Sequence, residues 1–255
     1  MTLHPNYQYI LKRCSALSNN GGRVLDFGCG KGVVVEEGRK NNLNFYGTEL
    51  FSAGSGVNIQ EYVKNKGLLG DVIREINGGK IPFTDGFFDL VVSNQVLEHV
   101  FDLDHVLSEI SRVLKDNGKL LCIFPSKEAF RDGHCGIPFT HWFTERSRLQ
   151  YYWLLIFRFM GFGRLKRKRT RRQWAEFFSD WIPNNLKYRS IDEIHKIFSS
   201  YFGSLKHIED DYVAFRLGIK KLPKLAALSR TPPMNQFSSW FCRKWGALVL
   251  LAEKK

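Results

Sequence analysis

The sequence predicts an α/β fold, a mostly parallel sheet with helices on both faces. Three observations predict it. Short apolar runs alternate with stretches of helical period, the rhythm of successive β-α-β units. Those runs are continuous rather than alternately apolar and polar, as expected of strands covered on both faces. The first of them ends in a glycine-rich turn that opens a helix.

The elements follow in order. "RVLDFG" (23–28) is a short apolar strand running into glycine, and "KGVVVEEGRKN" after it reads as a helix. "NFYGTEL" (44–50) is a second strand and "NIQEYVKNKGLL" a second helix. "FFDLVVSNQVL" (87–97) carries a β-branched run in its middle. In "DLDHVLSEISRVLKDNG", Leu103, Val106, Leu107, Ile110, Val113 and Leu114 recur at helical spacing, and the helix closes on Asn-Gly. "KLLCIFP" (119–125) is a further buried strand, stopped by Pro125. From Ser126 to Arg189 the rhythm breaks into aromatics, His and Arg without a clean strand. It resumes at "SIDEIHKIFSSYF", where Ser190 and Glu193 form a capping-box pattern. "SLKHIEDDYVAFRL" and "GALVLLAEKK" read as two late strands, joined by a helical, proline-broken connection. The expected organisation is one domain over 1–255, with an insertion at 126–189 too long for an ordinary loop and therefore functional.

The bulk numbers exclude several classes. A 44% hydrophobic and 25% charged chain of 255 residues is globular, not disordered. Five cysteines without a CxxC pair argue against a disulfide scaffold or zinc ribbon and predict a reducing, cytoplasmic setting. The first residues show no apolar signal core, and no apolar stretch approaches the roughly 20 residues of a spanning helix. The net charge is +13, and about half of it sits in one run, "RLKRKRTRR" (164–172). Such a surface attracts phosphates, in whatever molecule carries them.

The chemistry is concentrated in "VLDFGCGKG" (24–32). Gly28, Gly30 and Gly32 let the backbone approach a ligand and aim helix N-terminal N–H groups at it. A dinucleotide fingerprint needs glycine at 33, where this chain has Val33. Asp26, at the strand's end, would face a pyrophosphate badly but suits the ammonium of an amino acid. Glu49 ends the second strand, 21 residues after Gly28, placed to accept ribose hydroxyls. A ribose and an ammonium without a pyrophosphate describe S-adenosylmethionine.

"VLDFGCGKG", "FYGTEL", "GDVIREINGGKIPFTDGFFDLVVSNQVLEHV" and "LKDNGKLLCIFP" together resemble the class I S-adenosylmethionine-dependent methyltransferases, in their ubiquinone-biosynthesis-like branch. The resemblance spans about residues 20–126. It implies a Rossmann-like, seven-stranded sheet. It implies that Asp26, Gly28, Cys29 and Gly30 border the methionine part and that Glu49 holds the ribose. Asp71 and Val72 of "GDV" would flank the adenine, with Asp71 accepting from its amino group. Asn94 would line the methyl-transfer side, and Glu98 and His99 would form a structural pair behind the pocket.

Within the insertion, "RDGHCGIPFTHWF" places His134 and His141 directly after the fifth strand. A neutral His suits removal of a hydroxyl proton at neutral pH, so either is a candidate base. His134, Cys135 and His141 lack a fourth ligand at useful spacing, so no metal is expected. "YYWLLIFRFMGFG" followed by "RLKRKRTRRQW" (together 151–174) pairs aromatics with cations, the pattern of a helix resting on an anionic membrane. The aromatics precede the charges instead of interleaving with them, so nucleic acid is not an expected partner. "GHCGIPFTHWF", "WAEFFSDWIPNNLKYRS" and "EDDYVAFRL" resemble methyltransferases found with bacterial surface-polysaccharide assembly enzymes. That finer resemblance implies O-methylation of a sugar hydroxyl in a cell-surface glycan or its precursor, in the cytoplasm or at the cytoplasmic membrane face. Two other readings stand beside it: a small lipophilic acceptor such as a quinone precursor or lipid, and a non-catalytic cofactor-binding scaffold that docks a membrane or partner.

Overall fold

The computed structural model describes residues 3–18, 21–51, 56–166 and 169–255. Its centre is a seven-stranded sheet of order β3-β2-β1-β4-β5-β7-β6. The strands are β1 (Arg23–Phe27), β2 (Asn44–Glu49), β3 (Ile73–Glu75), β4 (Phe88–Asn94), β5 (Leu114–Phe124), β6 (Phe202–His207) and β7 (Leu248–Lys254). The first five run parallel, and β7 inserts antiparallel between β5 and β6. Order reverses at β1, whose neighbours β2 and β4 lead to opposite edges. Ligands of open α/β sheets bind at that switch point, beyond the strands' carboxyl ends.

The helices are α1 (Pro5–Leu17), α2 (Val33–Lys40), α3 (Gly56–Asn65), α4 (Leu103–Val113), α5 (Arg148–Phe159), α6 (Arg171–Asn185), α7 (Ile191–Tyr201), α8 (Glu209–Ile219), α9 (Pro223–Leu228) and α10 (Met234–Trp245). On one face of the sheet, Leu103, Leu107 and Ile110 of α4 and Ile194 and Phe198 of α7 pack against strand residues such as Val91 and Leu120. On the other, Tyr9 and Ile10 of α1, Val34 and Val35 of α2 and Tyr212 of α8 cover Val24, Leu90 and Val249. The strands bury both faces, so their continuous apolar runs are physically required. Residues 126–189 build a third cluster of their own, Leu154 of α5 against Trp174 and Phe178 of α6.

Three elements differ from the sequence reading. The stretch "EDDYVAFRL", expected as strand, is α8. Glu209, Asp210 and Asp211 occupy its first turn, where acids complement the helix dipole, and Glu209 and Tyr212 are buried at helical spacing. Helix α4 ends at Val113, because Leu114 already pairs with Phe88 of β4. The Asn-Gly turn forms inside β5, with Asn117 at φ 60°. Helix α1 was not anticipated. Pro5 opens it, and His4 Nδ1 accepts the Asn6 N–H at 3.2 Å.

Candidate active site

The loop after β1 is held open from below. Gly28 and Cys29 donate their N–H groups to the Thr48 carbonyl at 2.9 and 3.0 Å, which joins the loop to β2. Gly30 donates to Glu49 Oε2 at 2.6 Å, and Leu50 donates to Glu49 Oε1 at 2.9 Å. Each carboxylate oxygen retains a second lone pair for a ligand. Gly30 lies at φ 53°, and a Cβ added there would enter open space. Asp26, Tyr7, Gly28, Cys29, Gly30 and Asn94 line a cavity of about 180 Å³ beside this loop. Burial, and then the charge of Glu49, raise the Asp26 carboxyl to about 7. Burial and the Asp26 charge likewise raise the Tyr7 phenol.

The register of β3 corrects one expectation. Gly47, Thr48 and Glu49 pair with Ile73, Arg74 and Glu75, and Ile76 donates its N–H to the Glu49 carbonyl at 2.9 Å. Asp71 and Val72 therefore precede the strand, at its amino end. Asp71 is exposed, and Val72 joins the apolar packing behind α2. The residues level with Glu49 at the ligand edge are Glu75 and Ile76. "GDV" resembles the expected motif in letters, but strand register decides which acid reaches the edge.

Two walls of the small cavity continue into a larger one. Tyr7 and Asn94 also line a space of about 740 Å³ between α1, α8 and α10. Its wall combines Tyr212, Phe241 and Trp245 with the cations Arg216 and Lys220. Asn6 Nδ2 donates to Asn94 Oδ1 at 2.8 Å, Tyr212 OH donates to Asn6 Oδ1 at 2.6 Å, and Arg216 Nη1 donates to the Tyr212 oxygen at 2.7 Å. None of these partners of Asn94 was a candidate in the sequence, because they come from opposite ends of the chain. Misreading α8 as strand concealed that Tyr212 and Arg216 share a helical face.

The insertion reaches the same region from the other side. His134 lines a third cavity, about 380 Å³, which shares Gln95, Trp245 and Gly246 with the large one and adds Arg131 and Arg164. Asp132 is fully buried; its Oδ1 accepts from the N–H groups of His134 and Cys135 at 2.8 and 2.6 Å, and its Oδ2 from Tyr188 OH at 2.7 Å. Burial pushes its carboxyl up, but the hydrogen bonds from His134, Tyr188 and Cys135 prevail and hold it well below the usual range. The two histidines lie around Tyr188 yet part company. His134 Nδ1 is 3.5 Å from Tyr188 OH. The His141 ring stacks on Tyr188 at 4.3 Å, and its Nε2 is 3.2 Å from the Lys127 carbonyl. His141 lines a different space, of about 420 Å³, whose wall has no residue in common with the cradle or the large cavity. Burial lowers the His141 pKa.

Glu98 and His99, expected as a structural pair, are not bonded to one another. His99 Nδ1 takes the Asn185 carbonyl at 2.9 Å. Glu98 is buried, neither carboxylate oxygen has a partner among the described residues, and burial raises its carboxyl to about 7.

A family model for the methyltransferase domain matches residues 3–197. The ubiquinone/menaquinone biosynthesis C-methyltransferase UbiE of Vibrio vulnificus is 30% identical over 136 residues, covering 50% of this chain and 50% of that protein. The demethylmenaquinone methyltransferase of Bacillus cereus is 30% identical over 150 residues, covering 52% and 61%. The match thus spans about half to three-fifths of the length of these curated relatives. Among solved structures, an S-adenosylmethionine-dependent methyltransferase from Mesorhizobium loti superimposes with a TM-score of 0.54 at 14% identity, over 95% of this chain and 96% of that one. A geranyl diphosphate C-methyltransferase from Streptomyces coelicolor, solved with S-adenosyl-L-homocysteine, gives 0.50 at 14% identity, over 98% and 75%. At such identities these likenesses concern the fold. The cradle fits the cofactor of that fold: a buried acid for an ammonium, a second acid at the neighbouring strand end, and a glycine with open space before it. With its family model, sheet order and cradle in agreement, the chain belongs to the methyltransferase-domain family, in the ubiquinone-biosynthesis-like branch of class I S-adenosylmethionine-dependent methyltransferases.

Proposed function

We propose that this protein transfers a methyl group from S-adenosylmethionine to an acceptor with an apolar or aromatic body and an anionic group. The observation that carries this reading is that Tyr7 and Asn94 line both the cofactor cradle and the 740 Å³ cavity, so the two adjoin. A cavity of that size holds a drug-sized molecule. Its aromatic residues suit a ring or isoprenoid body, and Arg216 and Lys220 suit a carboxylate or phosphate. The names of the quinone-pathway relatives are in keeping with such an acceptor.

The bound cofactor supplies a methyl group made electrophilic by its sulfonium. In this reading Asp26 holds the ammonium, Glu49 the ribose hydroxyls, and Glu75 with Ile76 the adenine edge. Cys29 and Gly30 border the methionine part with their backbone. Asn94, oriented by Asn6, faces the transfer side. His134 is the histidine that borders the connected cavities, held by Asp132 and Tyr188, and is placed to take a hydroxyl proton. His141 supports Tyr188 from behind.

The sugar acceptor inferred from the insertion is kept as a second reading, because Arg131 and Arg164 in the cavity of His134 suit the phosphates of a lipid- or nucleotide-linked glycan precursor. The scaffold reading is disfavoured by the presence of both Asp26 and Glu49. The working location is cytoplasmic, at an anionic membrane face through 151–174. Among the described residues no helix is long and apolar enough to cross a bilayer. Arg167 and Lys168 of the basic run lie outside the described residues. The experiment is incubation with labelled S-adenosylmethionine and two acceptor panels, polyprenylated phenols or acids and lipid-linked sugars. Label in the first panel alone supports the proposal. Label in the second alone transfers it to glycans, and no label in either sinks both.

A further inference from the structure

Three side chains outside the cradle meet at the end of β4. Glu98 and His99 leave the 3-10 turn Leu97–His99, and His134 comes from the insertion. One donor atom from each lies within 4.8 Å of the others, the group among the described residues that brings together potential metal ligands. Three ligands at about 2.1 Å from one ion stand about 3.0–3.6 Å apart, so closing the trio takes up to about 1–2 Å of side-chain rotation.

Two further observations point to a ligand. Both oxygens of Glu98 are buried and unpartnered, in a molecule whose other fully buried acid nearby, Asp132, is saturated with donors. A buried carboxylate left without a partner calls for an explanation, and a bound ion is one. Each histidine also has its Nδ1 beside a protein oxygen, which leaves the other ring nitrogen for a ligand. His99 presents Nδ1 to the Asn185 carbonyl at 2.9 Å, which places the proton there and leaves Nε2 free. His134 has Nδ1 beside Tyr188 OH at 3.5 Å and Asp132 Oδ2 at 3.8 Å, a carboxylate–histidine arrangement that also frees Nε2.

We infer that Glu98, His99 and His134 form a two-histidine, one-carboxylate site for a divalent first-row transition metal. Two imidazoles and one carboxylate suit Mn²⁺, Fe²⁺, Co²⁺ or Zn²⁺, whereas Mg²⁺ and Ca²⁺ favour all-oxygen sets. Three protein ligands leave positions for water or an oxygen of the acceptor, and His134 already lines a cavity that shares Gln95, Trp245 and Gly246 with the large one. With the ion present, lowering the pKa of a bound hydroxyl is the ion's work, and His134 acts as its ligand instead of as a free base. The site is independent of the acceptor's identity.

The test uses the full chain, stripped with chelator and titrated with Co²⁺, followed by visible absorption and calorimetry. One equivalent should bind, reversibly on adding chelator and displaceable by Zn²⁺. Glu98→Gln and His134→Ala should each weaken it by about tenfold or more, and His195→Ala, a histidine on α7, should not. His99→Ala changes an exposed side chain, so it keeps the test valid if the buried Glu98→Gln variant fails to fold. Bound Co²⁺ should raise the melting temperature of the wild type and not of His99→Ala. Absence of stoichiometric binding, or equal affinity in wild type, His99→Ala and His134→Ala, overturns the assignment. So does binding confined to Mg²⁺.

Discussion

Asn6 Nδ2 donates to Asn94 Oδ1 at 2.8 Å, fastening the first helix to the end of the fourth strand at the seam between cradle and acceptor cavity. Asn6 is itself buried and accepts from Tyr212 OH at 2.6 Å. Replacing it by Leu leaves Asn94 and Tyr212 without their partner. Losing such a buried hydrogen bond costs about 1–3 kcal/mol, which urea unfolding will register as a lower midpoint at unchanged slope. Acceptor KM should rise more than the cofactor's, because the displaced groups line the larger space. An unchanged acceptor KM would show that the cavity is not the acceptor's.

The strand register separates two acids that the sequence leaves equivalent. Glu75→Ala should weaken binding of S-adenosylhomocysteine, and Asp71→Ala should leave it within about twofold. Asp26→Ala and Glu49→Ala should each cost at least about tenfold, the worth of a charged hydrogen bond of about 1.5–3 kcal/mol. Calorimetry of the four variants reads this directly. A loss at Asp71 without one at Glu75 would reverse the assignment made from the register.

The raised carboxyl of Asp26 makes cofactor affinity depend on pH. Below about 7 Asp26 holds a proton that it must release to pair with an ammonium. Affinity for S-adenosylhomocysteine should therefore fall by up to about tenfold per pH unit below 7 and level off above it. The charged or titratable groups around it are Glu49 from β2, Tyr7 and Cys14 from α1, and Cys29 and Lys31 from the loop. The free protein's stability runs the other way. The folded state binds the extra proton between the unfolded value near 3.8 and the folded value near 7, so this group's contribution declines as pH rises through that window. Asp26→Asn should flatten both trends, and a slope that persists in it assigns the titration elsewhere.

His134 and His141 were equal candidates by sequence, and the cavities distinguish them. His134→Ala should lower turnover by about 10²-fold or more with cofactor affinity little changed. His141→Ala should act less, through Tyr188, on which its ring stacks. Single-turnover rates at saturating cofactor measure the difference. Near-normal turnover in His134→Ala would remove the insertion from the chemistry.

The parts of the site that were legible are those encoded locally. Strand, glycines and helix in "VLDFGCGKG" are contiguous, and their letters carry the backbone conformation. Asp26 and Glu49 end neighbouring parallel strands, so their placement follows from the β-α-β rhythm. That Glu75 stands level with Glu49 was not legible, because pairing register is a contact between strands that "GDV", four residues away, does not encode. Asn6, Tyr212 and Arg216 were missed because no local pattern links residues some 206 to 210 positions apart. The carboxylate of Glu98 read as a paired acid from its neighbour in sequence, but the His99 ring bonds the Asn185 carbonyl instead, a contact across 86 residues that no local pattern encodes.

The last prediction concerns the outer face of the insertion. On α5, Leu149, Tyr152, Ile156 and Phe159 recur three or four apart and are each more than half exposed. That stripe is the side opposite Leu154, which packs inward on α6. Met160, Phe162 and Leu165 extend it, equally exposed, and Arg148, Lys166, Arg171 and Arg172 are exposed in or beside the same stretch. An apolar stripe bordered by cations is the form of a helix that rests on an anionic bilayer. Replacing Lys166, Arg171 and Arg172 with Ser should leave folding and cofactor binding intact, since none of them lies in the core or the cradle. Each is worth about 1 kcal/mol near the surface, so binding to anionic vesicles should weaken by on the order of a hundredfold. Ile156→Asp should weaken binding to the same vesicles without that change in basic charge. Wild-type binding should fade with salt, because the Debye length shrinks from about 10 Å at 0.1 M to about 3 Å at 1 M. Co-sedimentation with anionic and neutral vesicles at two salt concentrations, with RNA as competitor, provides the measurement. RNA that displaces the protein while Ile156→Asp leaves vesicle binding unchanged would identify the basic run as a polyanion site and remove the membrane from the proposal.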